Sequence, residues 1–336
     1  MVLSRVVPAP VRRRLRSLQA RAQRPGLVLG DWRRYRQAAA AEMVPRNPGN
    51  ARALMAFFSH SLQKGLSRQG DEFRPGFGVA ALTALSSAMQ AWLRLGGGQD
   101  DTFFVEAAST VNAYLARHQA LGVATGDKEG LFPPDLLATI RSIDSDLGGV
   151  KTVAAPPSSE PRDFAQLAAG RVSIRHFGPG QVDRDRLTQA VDIARHTPSV
   201  CNRQPVRVHA YQDAALIETA LRLQGGLTGF ASPPTLLAVT ADLTAFVAAT
   251  ERNEPYVDGG LFAMSLLYAL EHLGLAACPL NAMFNHHQDK ALRQLLDIPK
   301  TECFVMFIAV GPRPDPVVVP KSARQPVDGV LRIHGA

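Results

Sequence analysis

The chain has 336 residues, 46% of them hydrophobic, enough to predict two folded parts with cores of their own, and no stretch approaches the roughly 20 uncharged apolar residues of a membrane-spanning helix. Its net charge of +8 is not the footprint of a nucleic-acid surface, because the first 46 residues carry eleven arginines against Asp31 and Glu42, or +9, and the rest sums to about −1. Cys201, Cys278 and Cys303 are too few and too scattered for a disulfide framework or a zinc site, so no metal is expected and a soluble, cytoplasmic protein is.

Residues 1–46 read as a basic arm. Leu15, Leu18 and Ala22, spaced three and four apart among arginines, would allow a short amphipathic helix able to rest on an anionic membrane or an acidic partner. Pro8, Pro10 and Pro25 interrupt that segment, which favours a solvated arm. Residues 47–150 read as a small all-helical module. ARALMAFFSHSLQKGLS keeps Leu54, Phe57, Phe58, Leu62 and Leu66 at helical spacing, with Gly65 as a stop signal. VAALTALSSAMQAWLRL ends at the glycines 96–98, Asp101 caps DTFFVEAASTVNAYLARHQALG with Glu106 complementing the helix dipole, and Pro134 opens DLLATIRSI. No strand pattern intervenes.

A proline-rich linker fills 151–162, and residues 163–336 alternate helix and strand patterns. Leu187, Ala190, Val191 and Ala194 line a helix that must end before Pro198. VRVHAY alternates like a strand, and TLLAVT and CFVMFIAV are apolar runs of buried-strand length. LFAMSLLYALEHLGLAA is apolar on nearly every face, so its helix needs packing partners on two sides. His286 and His287 are adjacent and fall on different helix faces, which argues against metal binding.

Chemistry concentrates between Arg171 and Pro205. Arg171, Ser173 and Arg175 alternate in RVSIRHF, so in an extended segment they share one side, and TPSVCNRQP follows one helix later. This arrangement resembles the nitroreductase family of FMN-dependent oxidoreductases, whose signature is R-x-S-x-[RK]-x-F followed by [AT]-P-S-x-x-N-x-Q-P. The likeness continues through DGGLFAMSLLYALEHLGLAACPLN and FVMFIAVGPRPDP to PKSARQP. KGLSRQGDEFRPGFG in the first half resembles a segment of longer nitroreductase-like proteins associated with bacterial polysaccharide gene clusters.

The resemblance implies an α+β nitroreductase-like fold, a central mostly antiparallel sheet flanked by helices, here preceded by the helical module. It implies FMN as cofactor, NAD(P)H as reductant, a small-molecule electron acceptor, and a homodimer with the long apolar helix at its centre. Arg171 would meet the FMN phosphate, Ser173 the ribityl or phosphate, and Arg175 the pyrimidine edge, where charge develops on reduction. Lys321 and Arg324 match the family's C-terminal phosphate clamp, with Arg313 as a competitor for that role. Pro198, Ser199, Asn202 and Gln204 would reach the neighbouring subunit's FMN, and Pro279, Asn281 and Ala282 would form a turn beside the reactive ring face, with an Ala282 N–H toward N5. Family members carry an acidic residue and Gly where this chain has Asn281 and Ala282, and a frequent Trp where it has Val206. The missing carboxylate alters the acceptor pocket. A different class of reading is a flavin-binding or scaffold protein of a polysaccharide-related pathway with weak or lost reductase activity.

Overall fold

A computed structural model describes residues 25–39, 43–155 and 162–335. The amphipathic stretch at Leu15, Leu18 and Ala22, and residues 156–161 of the proline-rich linker, lie outside the described residues. In chain order the elements are α1 (25–38), α2 (Pro48–Leu66), α3 (Val79–Arg94), α4 (Thr102–Ala120), α5 (Gly126–Glu129), α6 (Pro134–Ser142), β1 (Val150–Val153), α7 (Phe164–Gly170), α8 (Arg184–Ala194) and β2 (Val206–Tyr211). There follow α9 (Ala214–Gln224), β3 (Thr235–Asp242), α10 (Glu254–His272), β4 (Leu275–Asn281), α11 (His286–Leu296), β5 (Glu302–Pro312) and β6 (Val317–Pro320). Among the described residues they divide into an α/β unit of residues 25–39, 162–171 and 177–313, and a helical unit of residues 43–155, 172–176 and 314–335.

In the α/β unit the strands form an antiparallel sheet in the order β2-β3-β5-β4. β3 and β5 are central, and their continuous apolar runs reflect cover on both faces. Leu237, Val239, Ile308 and Val310 pack with α8 and α10 on one side, while Leu236, Ala238, Phe307 and Ala309 pack with α9 and α11 on the other. The expected α+β architecture, an antiparallel sheet flanked by helices with a helical module before it, is the one observed. A register shift between Val239 and Thr240 places a bulge opposite them in β5. α10 passes close to the sheet there, because a Cβ on Gly259 would lie 2.4 Å from a Val305 methyl.

Two local expectations are corrected. The apolar run to Ala277 is not one helix, since α10 starts earlier, at Glu254, ends at His272, and Leu275–Ala277 belong to β4. Pro279 and Asn281 likewise sit in β4, and only Ala282 follows it.

The helical unit is built on α2, α3, α4 and α6 around Met55, Leu62, Leu85, Phe104, Tyr114 and Ile140. Asn47 caps α2 by accepting from the Asn50 N–H, and Asp101 caps α4 from the Phe103 N–H, as the sequence suggested for the latter. Gly65 does not stop α2, which runs on to Leu66; its bare backbone makes room for Phe77, whose ring would lie 2.0 Å from an added Cβ. The unit also holds a strand pair that sequence patterning did not show, β1 antiparallel to β6 with Val150 opposite Pro320 and Val153 opposite Val317.

Candidate functional site

In the α/β unit, α7 is closed by a capping box between Asp163 and Gln166, and Arg171 is its C-cap, donating its backbone N–H to Leu167 O. The Arg171 side chain is half-buried, and its Nη1 is buried without a hydrogen-bond partner among the described residues. Arg313, the competitor for the phosphate, is committed elsewhere. It pairs with buried Glu271 at 3.0 Å, and Arg162 reaches the same carboxylate at 3.0 Å.

The turn after α8 is built under backbone strain. Cys201, Asn202 and Gln204 have φ of 49°, 54° and 50°, a left-handed conformation that non-glycine residues rarely adopt and that costs roughly 1–3 kcal/mol each. Surrounding contacts hold it. Asp258 of α10 accepts the Val200 N–H at 3.1 Å, Ser199 Oγ accepts the Gln204 N–H at 2.9 Å, and Gln204 Nε2 donates to Asn202 Oδ1 at 3.2 Å. Arg203 forms a fork on Glu251, at 3.0 and 3.1 Å, and these hydrogen bonds, with those from the Val247 and Ala248 N–H groups, hold the Glu251 carboxyl down at about 2. Beside the turn opens a cavity of about 320 Å³ lined by Pro198, Ser199, Gln204, Arg195, Arg207 and Asp258. Of the turn residues singled out in the sequence, Pro198, Ser199 and Gln204 line this cavity, while Arg203, Glu251 and Asp258, which sequence reasoning did not single out, hold the turn in place.

Farther along the same unit, Asn281 O accepts from Gln224 Nε2 at 2.9 Å, and Asn281 Oδ1 accepts the Met283 N–H at 3.1 Å. Ala282 is not among the residues with positive φ, so alanine carries no backbone penalty there.

In the helical unit, Arg175 is 8% exposed. Its Nη2 donates to His60 Nε2 at 3.3 Å, its Nη1 makes a long contact of 3.5 Å to Ser173 O, and its Nε is buried without a partner among the described residues. Burial, with Arg175 and then Lys64 adding charge repulsion, pushes the His60 imidazole down to about 4, so it is neutral near pH 7. Lys321 Nζ binds Asp146 through its carbonyl and, at 3.3 Å, its carboxylate, and Arg324 donates to Ser322 O at 2.6 Å. Their loop is docked on α2 and α4. Gln63 Oε1 accepts the Ser322 N–H and Glu106 Oε1 the Ala323 N–H, both at 3.3 Å, and Gln63 Nε2 bridges Glu106 at 3.0 Å and Thr110 at 3.1 Å. Glu106 is therefore a buried hub rather than a solvated partner of the α4 dipole, and burial pushes its carboxyl up. The signal for this cluster was His60, Gln63 and Lys64 at helical spacing on one face of α2.

Among the described residues no group of His, Cys, Asp or Glu is arranged to hold a metal ion, and no helix is long and apolar enough to cross a membrane.

Comparison with known proteins matches residues 168–312 to the Nitroreductase family. No curated protein matches the chain. Among solved structures, NfrA2 of B. megaterium is 22% identical, with 51% of this chain and 74% of that chain covered and a TM-score of 0.45. The hypothetical oxidoreductase YcnD of Bacillus subtilis is 23% identical, with 51% and 73% covered and a TM-score of 0.43. A nitroreductase family protein of Clostridium difficile 630 is 19% identical, with 52% and 100% covered and a TM-score of 0.44. What this chain shares with the Nitroreductase family is the stretch from 168 to 312 and a nitroreductase-like α+β architecture.

Proposed function

We propose that the protein is an FMN-dependent oxidoreductase that passes electrons from NAD(P)H to a small organic acceptor, working as a homodimer in the cytoplasm. The match of residues 168–312 supports a general oxidoreductase role, and one observation carries the finer reading. The two motif arginines each bury a guanidinium nitrogen with no hydrogen-bond partner among the described residues, and Arg175, though nearly buried, makes no ion pair there. A buried cation without an anion costs several kcal/mol on order of magnitude. FMN answers both needs, with a phosphate for Arg171 and an electron-rich pyrimidine edge for Arg175, so the residues present fit this cofactor.

When bound, FMN supplies a ring that takes a hydride equivalent from NAD(P)H and returns two electrons to the acceptor. The chain's own part is to bind and to bias. Arg171, Lys321 and Arg324 would hold the phosphate, Ser173 the ribityl chain, and Pro198, Ser199, Asn202 and Gln204 a neighbouring subunit's cofactor. Arg175 would set a fixed positive charge at the edge where negative charge develops, and Pro279, Asn281 and the Ala282 N–H would border the reactive face. Support for the homodimer comes from α10, where the apolar Tyr256, Val257 and Leu261 are 54%, 50% and 49% exposed on a helix whose Ala263, Leu266, Leu267 and Leu270 are buried.

The hydrogen bonds already made by Asn281, in place of the family's carboxylate, favour the second reading, a flavin-binding protein of weak reductase activity. One spectrum separates the two. Flavin absorbance that NADH or NADPH bleaches without oxygen, and that a quinone or nitro-compound restores, supports the enzyme. Bound flavin that neither nucleotide bleaches supports the second reading, and a chain that retains no FMN after reconstitution overturns both.

A further inference from the structure

The helical unit carries a residue that neither the family motif nor the match at 168–312 includes. We propose that His60 of α2 is a positioning residue for Arg175, its imidazole accepting from Nη2 and fixing the guanidinium so that the Nε–H remains for the cofactor ring; this rests on the FMN reading above. Arginine donates and never accepts, so the 3.3 Å contact requires a lone pair on His60 Nε2 and the imidazole proton on Nδ1. The neutral state is enforced from both sides. Burial disfavours a protonated ring most, and Arg175 and then Lys64, one turn along α2, add charge repulsion.

The alternative partner for a buried guanidinium is a carboxylate, and the choice of imidazole has a chemical consequence. A carboxylate would neutralise Arg175 and forfeit its charge toward a ligand. A neutral acceptor takes one hydrogen bond and leaves the full positive charge in place. Arg175 is therefore held at two corners, by His60 at Nη2 and by the Ser173 carbonyl at Nη1, while Nε stays unpaired among the described residues. Such an arrangement selects for an anionic or strongly accepting group and raises the affinity for the reduced flavin over the oxidised one. It also gives the helical module a part in the redox chemistry rather than a merely attached presence.

The test uses the full chain loaded with FMN, and reads the affinity for oxidised FMN by fluorescence quenching and the two-electron midpoint potential of the bound flavin. His60→Phe, which keeps a ring and removes the acceptor, is expected to lower the preference for reduced over oxidised flavin about tenfold, equivalent to about 30 mV, with the oxidised affinity within about twofold of the parent. His60→Gln, which restores an acceptor, should return the potential to within about 10 mV of the parent. In an Arg175→Gln background, His60→Phe should change nothing further, because the residue acts through Arg175. A potential unchanged in His60→Phe, a Gln variant no better than Phe, or an additive double variant overturns the proposal while the parent's bound FMN leaves the cofactor reading standing. Failure of the parent to bind FMN overturns the two together. Should His60→Phe not fold by circular dichroism, His60→Asn, whose amide is too short to reach Arg175, takes its place in the same cycle.

Discussion

The turn at 198–204 is fastened by charges from its own unit, with Arg203 forked on Glu251 and Asp258 holding the Val200 N–H. Arg175, in the helical unit, faces a neutral imidazole and a carbonyl instead. The first arrangement spends its charges on geometry, forcing three non-glycine residues into left-handed backbone and keeping them there. The second keeps a charge unspent. In the turn the charges are paired with one another, whereas Arg175 makes no ion pair among the described residues, and the missing half of that interaction is to be sought in a ligand.

The largest expected effect falls on the unspent charges. Arg171→Ala should weaken FMN binding about ten- to hundredfold, since a charge-assisted contact to phosphate contributes roughly 1.5–3 kcal/mol, and a fluorescence titration would show it. Arg175→Ala should retain more FMN and slow flavin bleaching by NAD(P)H in stopped flow. Equal behaviour of the two variants and the parent would break the contrast. Next comes Gly259→Ala, which drives a methyl into Val305 beside the Asp258 anchor and should cost about 1–3 kcal/mol in urea unfolding. A charge on the exposed stripe of α10, Leu261→Glu, should shift sedimentation from twice the 36.2 kDa chain mass toward a single chain with the unfolding midpoint nearly unchanged. Leu267 is a poorer probe of assembly, being 5% exposed within its own chain's core.

The smallest effect is the most selective for the comparison, because acid should loosen the two regions in different windows. His60 falls from 6.5 to about 4 on folding, so below 6.5 the unfolded chain binds more protons and stability declines as pH drops from about 6.5 to 4. Glu251 falls from 4.5 to about 2, so its contribution is complete above 4.5 and disappears as pH drops toward 2. Urea unfolding followed against pH should therefore lose slope between 6.5 and 4.5 in His60→Gln, and Glu251→Gln should leave that upper window untouched.

Much of this was legible in local pattern. Alternation identified β2, unbroken apolar runs identified β3 and β5, and three-and-four spacing identified α2, α3 and α4. The segment from 261 to 281 was not, because an apolar run with no polar face reads alike as buried helix or buried strand, and only the turn at Gly274 divides it. Arg171 and Arg175 stood out by type and spacing. That no counter-ion meets them among the described residues did not, since that depends on which unit encloses them. His60 was hidden for the opposite reason: in HSLQKGL it is an ordinary residue of an amphipathic helix, and its meaning appears only when residues 172–176, more than 100 positions later, join the helical unit.

The pairing of β1 with β6 bears on how the chain is made. Val150–Val153 leaves the ribosome roughly 160 residues before its partner Val317–Pro320, a delay of about 8–33 s at about 5–20 residues per second. Throughout that interval the helices of this unit exist without their closing strand, and β1 presents an unpaired edge to whatever is near. The loop carrying Lys321 and Arg324 follows β6 and arrives later still. A nascent chain can therefore hold a nearly finished helical module for many seconds while the basic residues that would grip a phosphate have yet to be translated.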